Sequence, residues 1–372
     1  MYYRHQLDYT YPDRCDQHMI TVPHLRDVTV DEHYPYLRKD VFYKCIRAFY
    51  WVAMHTLLAV LLPISHGLRI YGRENLRKHR DLLKNGAVGF ITYDGNANYT
   101  DDDIDQRELR SYVSMGEKIP GVNINAKSAI RIINENGIMA KIVLKQTETM
   151  GNSHNVVLDL PGEIPEMLIF SAHYDSTSLS QGAYDNMSGS IGLLGIAEYF
   201  LQHPHRYSLR FVWCGSEERG LLGSKAYTEA HADELEQLVL NINLDMIGSI
   251  MGGLTVRCTA EEKVVHYLEY LAAELGVSLS AKQEIHSSDS TSFADKGIPA
   301  VSFARRAPSN TATIHNAYDT KAVLKAAHLQ ADIAFITAFA QRMANASRCP
   351  VSREIPENMK EKLDIYLLRK RG

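Results

Sequence analysis

From about residue 154 onward the chain alternates between two textures. "EMLIFSAH", "SLRFVWCG", "LVLNINLD" and "GIPAVSFA" are short, continuous apolar runs, the pattern of strands buried on both faces. Amphipathic segments separate them. Ile191, Leu194, Ala197 and Leu201 recur at three- and four-residue spacing, as do Val264, Tyr267, Leu268 and Leu271, and such spacing gives a helix one apolar face. Strands alternating with helices predict a three-layer α/β domain around a mixed, mostly parallel sheet.

The upstream chain is less regular. "NGAVGFITYDG" is a compact apolar run closed by turn residues, "KIPGVNINAKSAIRIINENG" reads as an extended piece followed by a helix stopped by Gly137, and "MAKIVLKQT" alternates as a strand does. The acidic "NANYTDDDIDQRE" between them reads as a solvated loop. Further upstream the chain is aromatic and basic, with an uncharged stretch from Ala48 to Leu68 of about the length needed to span a bilayer. His55, Pro63 and His66 interrupt it, and a buried or interfacial helix is the other reading. The expected organisation is an N-terminal segment over 1–75 with a hydrophobic helix at 48–68, a small domain over 76–153 and an α/β domain over 154–372.

Composition narrows the function classes. With 372 residues, 45% hydrophobic and 23% charged, the chain has the make-up of a globular protein. A formal charge of −4 gives no footprint for nucleic acid. Five scattered cysteines form neither a CxxC pair nor a disulfide framework, which points to a reducing compartment. "MYYRHQLDYTYPDRC" lacks the apolar core and cleavage site of a signal peptide. The expected location is the cytoplasm, or the cytoplasmic membrane if residues 48–68 associate with it.

The residues at the end of each apolar run carry the chemistry. The first run ends in His173-Tyr174-Asp175, with Asp185 beyond it; the second leads into "GSEERG" with Glu217 and Glu218; the third into Asp245; the fourth into a loop carrying His315. In open α/β sheets, sites assemble beyond the carboxyl ends of the strands. Two histidines with several carboxylates form a nitrogen/oxygen set suited to zinc and able to hold two ions. Asp185, just ahead of a glycine-rich helix start, is the best candidate to bridge them. Neighbours in an extended chain point in different directions, so one of Glu217 and Glu218 can bind metal while the other reaches the attacking water. Asp175, two residues past His173, is placed to receive its second ring N–H. His203, His205, His231, His266, His286 and His328 have no such placement and read as surface or packing residues. Arg305 and Arg306 are candidates for a substrate carboxylate, with solvated loop residues the plainer reading. The glycines from Gly189 to Gly195 suggest close helix–sheet packing.

"AHYDS", "GAYDNMSGS", "CGSEERGLLGS", "NLDMIG", "SDSTSFADKGIPA" and "HNAYDT", in this order, resemble the dinuclear zinc aminopeptidases, a clan that also holds glutamate carboxypeptidase, glutaminyl cyclase and the transferrin receptor. The resemblance implies a bridging Asp185, with His173 and Asp245 on one zinc and Glu218 and His315 on the other. It further implies Glu217 as general base, Asp175 as the partner of His173, Asp289 in support of the ligands, and a cis peptide after Asp185. Mn2+ and Co2+ are alternative ions. "LLKNGAVGFITYDG", "IPGVNINAKSAIRII" and "NVVLDLPGE" resemble the protease-associated domain and the return to the catalytic sheet. Residues 1 to about 85 resemble instead the lead of bacterial lysophospholipid acyltransferases, without the histidine–aspartate pair that acyl transfer needs. The expected function is a metal-dependent exopeptidase, foremost an aminopeptidase acting on peptides. A receptor-like binding protein and a glutaminyl cyclase on the same fold are the alternatives.

Overall fold

The computed structural model describes residues 18–20, 70–72, 88–93, 121–135, 139–144 and 151–370, apart from 179, 309, 310, 313 and 368. The hydrophobic segment at 48–68 and the acidic loop after Tyr93 lie outside the described residues. Among the described residues, no helix is long and apolar enough to cross a membrane. The chain divides into two compact units, residues 2–150 and 151–372.

In the first unit, strands β1 (His18–Ile20), β2 (Ile70–Gly72), β3 (Phe90–Tyr93), β4 (Gly121–Ile124) and β5 (Ile142–Leu144) form two small sheets. β2, β3 and β4 pair in parallel, and β1 pairs antiparallel with β5. Helix α1 (Ala126–Asn134) starts where the Asn125 side chain accepts the Ser128 N–H at 2.8 Å, satisfying one of the donors that a helix start leaves open.

The second unit is built on β6 (Val156–Leu160), β7 (Ile164–His173), β8 (Tyr207–Cys214), β9 (Leu238–Leu244), β10 (Gly253–Cys258), β11 (Leu279–Gln283) and β12 (Ala300–Arg306). They form one sheet in the order β11-β10-β12-β9-β7-β8-β6. β7 pairs in parallel with both β8 and β9, and β12 in parallel with β9; β6 and β10 supply the antiparallel pairings to β8 and β12. The chain leaves β7 for β8 on one side and returns to β9 on the other. β7 is therefore a topological switch point, where a crevice opens beyond the carboxyl ends of the strands.

Alternation along the strands feeds two cores. Leu168, Phe170, Phe211, Ile242 and Phe303 pack on one face with α2 (Ser188–Gln202), α4 (Glu262–Glu274) and α6 (Ala326–Ala344). Ile169, Val212 and Cys214 pack on the other with Tyr227 of α3 (Leu222–Ala230) and Phe293 of α5 (Ser290–Asp295). The last helix, α7 (Glu357–Tyr366), closes a satellite core over Ala294 through Met359 and Leu363. Strands buried on both faces explain the continuous apolar runs. β12 starts three residues into its run, because Gly297 takes a positive φ of 82° and the chain is still turning.

One expectation is overturned on α2. Its buried face carries Gly189, Gly192, Leu193, Ile196, Ala197 and Phe200, while Ile191, Leu194 and Leu201 are exposed. Glycine decides the rotation. A Cβ at Gly189 would lie 2.4 Å from the Leu244 carbonyl oxygen, so only the glycine face lets the helix start reach the end of β9. The apolar stripe that periodicity selects is displaced from the sheet by that close approach.

Candidate metal centre

Each ligand-type side chain stands at the carboxyl end of a strand or in the loop after it. His173 is the last residue of β7, Glu218 follows β8, Asp245 directly follows β9, and His315 lies in the loop after β12. Asp185 lies just ahead of α2, beside a cis peptide to Asn186. The turns are tight. Ser216, Met246 and His315 have φ of 58°, 64° and 64°, a region that side chains other than glycine seldom occupy and that accompanies functional sites.

Two triads meet at Asp185. His173, Asp185 and Asp245 form one; Asp185, Glu218 and His315 form the other, with each set of ligand atoms within 4.8 Å of one another. Asp185 Oδ1 lies 3.2 Å from His173 Nε2, and its Oδ2 lies 3.0 Å from His315 Nε2. Glu218 Oε1 is 3.0 Å from His315 Nε2, and Asp245 Oδ1 is 3.6 Å from His173 Nε2. His173 Nδ1 lies 3.1 Å from the carbonyl oxygen of Asp175. A carbonyl only accepts, so Nδ1 carries a proton, and Nε2 is the ring nitrogen turned towards the triad, free to bind a metal once its own proton is displaced.

Asp175 departs from the role its spacing suggests. Its carboxylate is 3.6 Å from His173 Nδ1, farther than its own carbonyl. Its two oxygens instead accept the backbone N–H groups of Glu217, at 2.9 Å, and Glu218, at 3.2 Å. A single carboxylate thus holds the turn in which the two glutamates part.

Three further residues that spacing alone did not mark hold the ligands. Asp319, fully buried, accepts the N–H of Tyr184 at 2.7 Å and of Asp185 at 3.0 Å. Asn186 accepts the N–H groups of Gly189 and Met246, each at 3.0 Å, and donates to the Leu244 carbonyl at 2.9 Å. It ties Asp185, shared by the two triads, to the end of β9. Ser190 donates to the His173 carbonyl at 2.8 Å. The sequence signal for Asp319 was present in "HNAYDT", but a hydrogen bond spanning 134 residues leaves no local trace.

The electrostatics call for positive charge. Burial alone lowers an imidazole pKa, yet Glu217 and the surrounding carboxylates of Asp175, Asp185 and Asp245 hold His173 well above its ordinary value. Burial raises a carboxylate, but the bonds from His173 and His315 bring Asp185 down to about 2. Asp245 is lowered too, against burial, by His173 and His286. Glu217 goes the other way: burial first, then the neighbouring Glu218, push it well above the ordinary glutamate range. Its neighbourhood therefore separates it from the ligand carboxylates. Asp245 Oδ1 is buried with no hydrogen-bond partner, which a cation would satisfy; the donor set present fits a metal site.

The other sequence candidates sort differently. Asp289 is fully buried, its carboxyl raised to about 6 by burial. His286 is not a surface or packing histidine: its Nε2 is 3.4 Å from Asp245 Oδ2. Arg305 does not present a free guanidinium, because Asp332 takes its Nε and Nη2, at 2.8 and 2.6 Å, and the Gly252 carbonyl takes Nη1.

Residues 155–340, half of the chain, match Peptidase family M28. The chain belongs to this family. It is similar to the aminopeptidase YwaD of Bacillus subtilis, 32% identical over 132 residues, which is 35% of this chain and 29% of that protein. It is also similar to the leucine aminopeptidase 2 of Trichophyton equinum, 40% identical over 103 residues, 27% of this chain and 19% of the relative. The matched stretches take in less than a third of either relative's length. Among solved structures, a zinc aminopeptidase from Bacillus subtilis superposes with a TM-score of 0.59 at 25% identity, covering 77% of this chain and 73% of that one.

Proposed function

We propose that the chain is a metal-dependent exopeptidase, an aminopeptidase that removes N-terminal residues from peptides with two zinc ions. The observation that carries the reading is the shared carboxylate: Asp185 presents one oxygen to His173 and the other to His315. His173, Asp185 and Asp245 would hold one ion, and Asp185, Glu218 and His315 the other. Bound there, zinc supplies a Lewis acid for the scissile carbonyl and lowers the pKa of water towards neutrality. Mn2+ and Co2+ suit the same nitrogen and oxygen donors. Similarity to proteins named as aminopeptidases supports the choice of reaction.

The chain's own residues then divide the labour. Glu217, raised in pKa and held by Asp175, takes a proton from the attacking water and returns it to the leaving amine. Such general acid/base transfer contributes roughly a hundred- to ten-thousand-fold. Asp175 and Asp319 fix the backbone under Glu217 and Asp185, so neither ligand nor base has to find its position during turnover.

Zinc per chain by elemental analysis, with release of p-nitroaniline from free and N-acetylated aminoacyl-p-nitroanilides, tests the proposal. About two zinc ions per chain, one for each triad, and cleavage of the free amine only are expected. A chain without zinc, or one that cleaves the acetylated compound equally well, overturns it.

A further inference from the structure

Asp245 divides its carboxylate between two imidazoles. Oδ1 faces His173 Nε2 at 3.6 Å and Oδ2 faces His286 Nε2 at 3.4 Å. His286 is only 5% exposed and its Nε2 has no hydrogen-bond partner. It sits in the loop between β11 and α5, and that loop is anchored to the strand that carries Asp245. Asn243 of β9, two residues before Asp245, donates from Nδ2 to Ser288 Oγ at 3.0 Å, and the Ser288 N–H donates to the His286 carbonyl at 2.9 Å. The imidazole and the carboxylate are thus positioned from the same strand end.

The other ring nitrogen sets the tautomer. Arg306, the last residue of β12, brings Nη2 to 3.5 Å from His286 Nδ1. A guanidinium only donates and keeps its protons at any physiological pH. Nδ1 must therefore accept, which leaves the proton of a neutral ring on Nε2, facing Asp245 Oδ2. The 3.4 Å separation is a small side-chain adjustment from a hydrogen bond of ordinary length.

We propose that His286 is a positioning residue for Asp245. Fixed by Arg306 in the Nε2–H tautomer, it engages Oδ2 and leaves Oδ1 as the one ligand oxygen of this carboxylate. The inference rests on the reading of this site as a zinc aminopeptidase centre. A hydrogen-bond partner of this kind orients a metal carboxylate, and its loss costs roughly 10- to 100-fold in metal affinity.

The test uses the full chain as wild type, His286→Ala, His286→Gln and Arg306→Ala, each titrated with zinc against a competing chelator to give stepwise affinities. His286→Ala should weaken one of the two zinc sites by roughly 10- to 100-fold and leave the other within a few-fold. His286→Gln, which keeps a side-chain N–H donor, should restore most of that loss, and Arg306→Ala should weaken the same site less than His286→Ala does. Equal zinc binding by His286→Ala and wild type overturns the proposal, as does a Gln variant no better than Ala in chains that fold equally well by circular dichroism. Nitrogen-15 NMR of the histidine rings in the chelator-treated wild type reads the tautomer without zinc: a proton on Nε2 of His286 is expected, and a proton on Nδ1 overturns the role of Arg306. A wild type that takes up no zinc overturns the aminopeptidase reading and the ligand-holding part of this one together. Failure of the His286 variants alone to change zinc binding leaves the aminopeptidase reading standing.

Discussion

Asp175 and Glu217, 42 residues apart in sequence, meet through one hydrogen bond, in which the Asp175 carboxylate accepts the Glu217 backbone N–H at 2.9 Å. Its second oxygen accepts the N–H of Glu218 at 3.2 Å. The bond therefore reaches the proposed general base and a proposed metal ligand through their backbone rather than through their side chains. Ser216, with φ of 58°, precedes them in a conformation that needs such external support.

Asp175→Ala leaves both N–H groups without this acceptor. Each unsatisfied buried group costs about 1–3 kcal/mol, and a domain of this size loses roughly 2–4 °C of melting temperature per kcal/mol. Differential scanning calorimetry should show a drop within that range, and kcat should fall more than KM rises. Asp175→Asn, which retains one oxygen acceptor, should fall between. A variant with wild-type melting temperature and kcat would remove Asp175 from the support of the pair.

Glu217→Gln separates the base from the ligands. The amide keeps the shape but cannot take a proton, so turnover should fall by roughly a hundred- to ten-thousand-fold while zinc content stays at the wild-type value. Loss of zinc along with activity would place Glu217 among the ligands instead.

These two positions mark how far the sequence could be read. His173, Asp185, Glu218, Asp245 and His315 were legible because parallel strands deliver their ends to one edge, and each strand announced itself as an apolar run. The four strands that carry the site and the three-layer architecture were legible for the same reason. What could not be read was contact across the chain: Asp319 to Asp185, Asn186 to Met246, His286 to Asp245. Such contacts depend on which loops fold back over the sheet, and no local period encodes that. The face of α2 was misread because periodicity weighs side-chain size, whereas Gly189 and Gly192 set the approach by having none.

Zinc uptake should release protons. Burial opposes charge on His173, but the carboxylates around it hold the proton well above the ordinary histidine value, and a metal must displace it. Zinc affinity should therefore rise with pH, and calorimetry in buffers of different ionisation enthalpy should count a proton released near neutrality. In the chelator-treated chain the sign is the reverse for stability. A folded pKa above the unfolded one contributes fully below the ordinary histidine value, and that contribution is lost as pH rises through the raised one. Zinc affinity independent of pH between 6 and 8 would contradict the assignment.

Asp319 offers a second pH test. Burial raises its carboxyl to about 6, despite the N–H bonds from Tyr184 and Asp185. Its folded pKa exceeds the unfolded one, so its contribution is present below about pH 4 and lost as pH climbs through about 6. Asp319→Asn carries no titrating proton. In chelator-treated protein, the stability of wild type relative to this variant should decline between pH 4 and 7, by at most about 3 kcal/mol. Chemical denaturation at stepped pH reads this directly, and a difference that grows with pH would refute it.

Arg305 and Asp332 decide whether the loop after β9 stays in place. The pair is bidentate, with Asp332 only 1% exposed. Asp332 also accepts the Gly248 N–H at 2.9 Å, and the Arg305 carbonyl accepts Tyr184 Oη at 2.6 Å and Ser249 Oγ at 2.9 Å. Removing one partner of a buried ion pair costs about 3–5 kcal/mol, because the other charge is left uncompensated. Asp332→Ala should lose stability on that scale. Replacing the pair together, as Arg305→Met with Asp332→Leu, should recover part of it while leaving Gly248 without its acceptor. If Arg305 instead served a substrate carboxylate, Arg305→Met alone would raise KM for peptides with little change in melting temperature. The geometry gives the opposite order: a large loss of stability first, and a change in KM only as far as the 246–252 loop shifts Asp245.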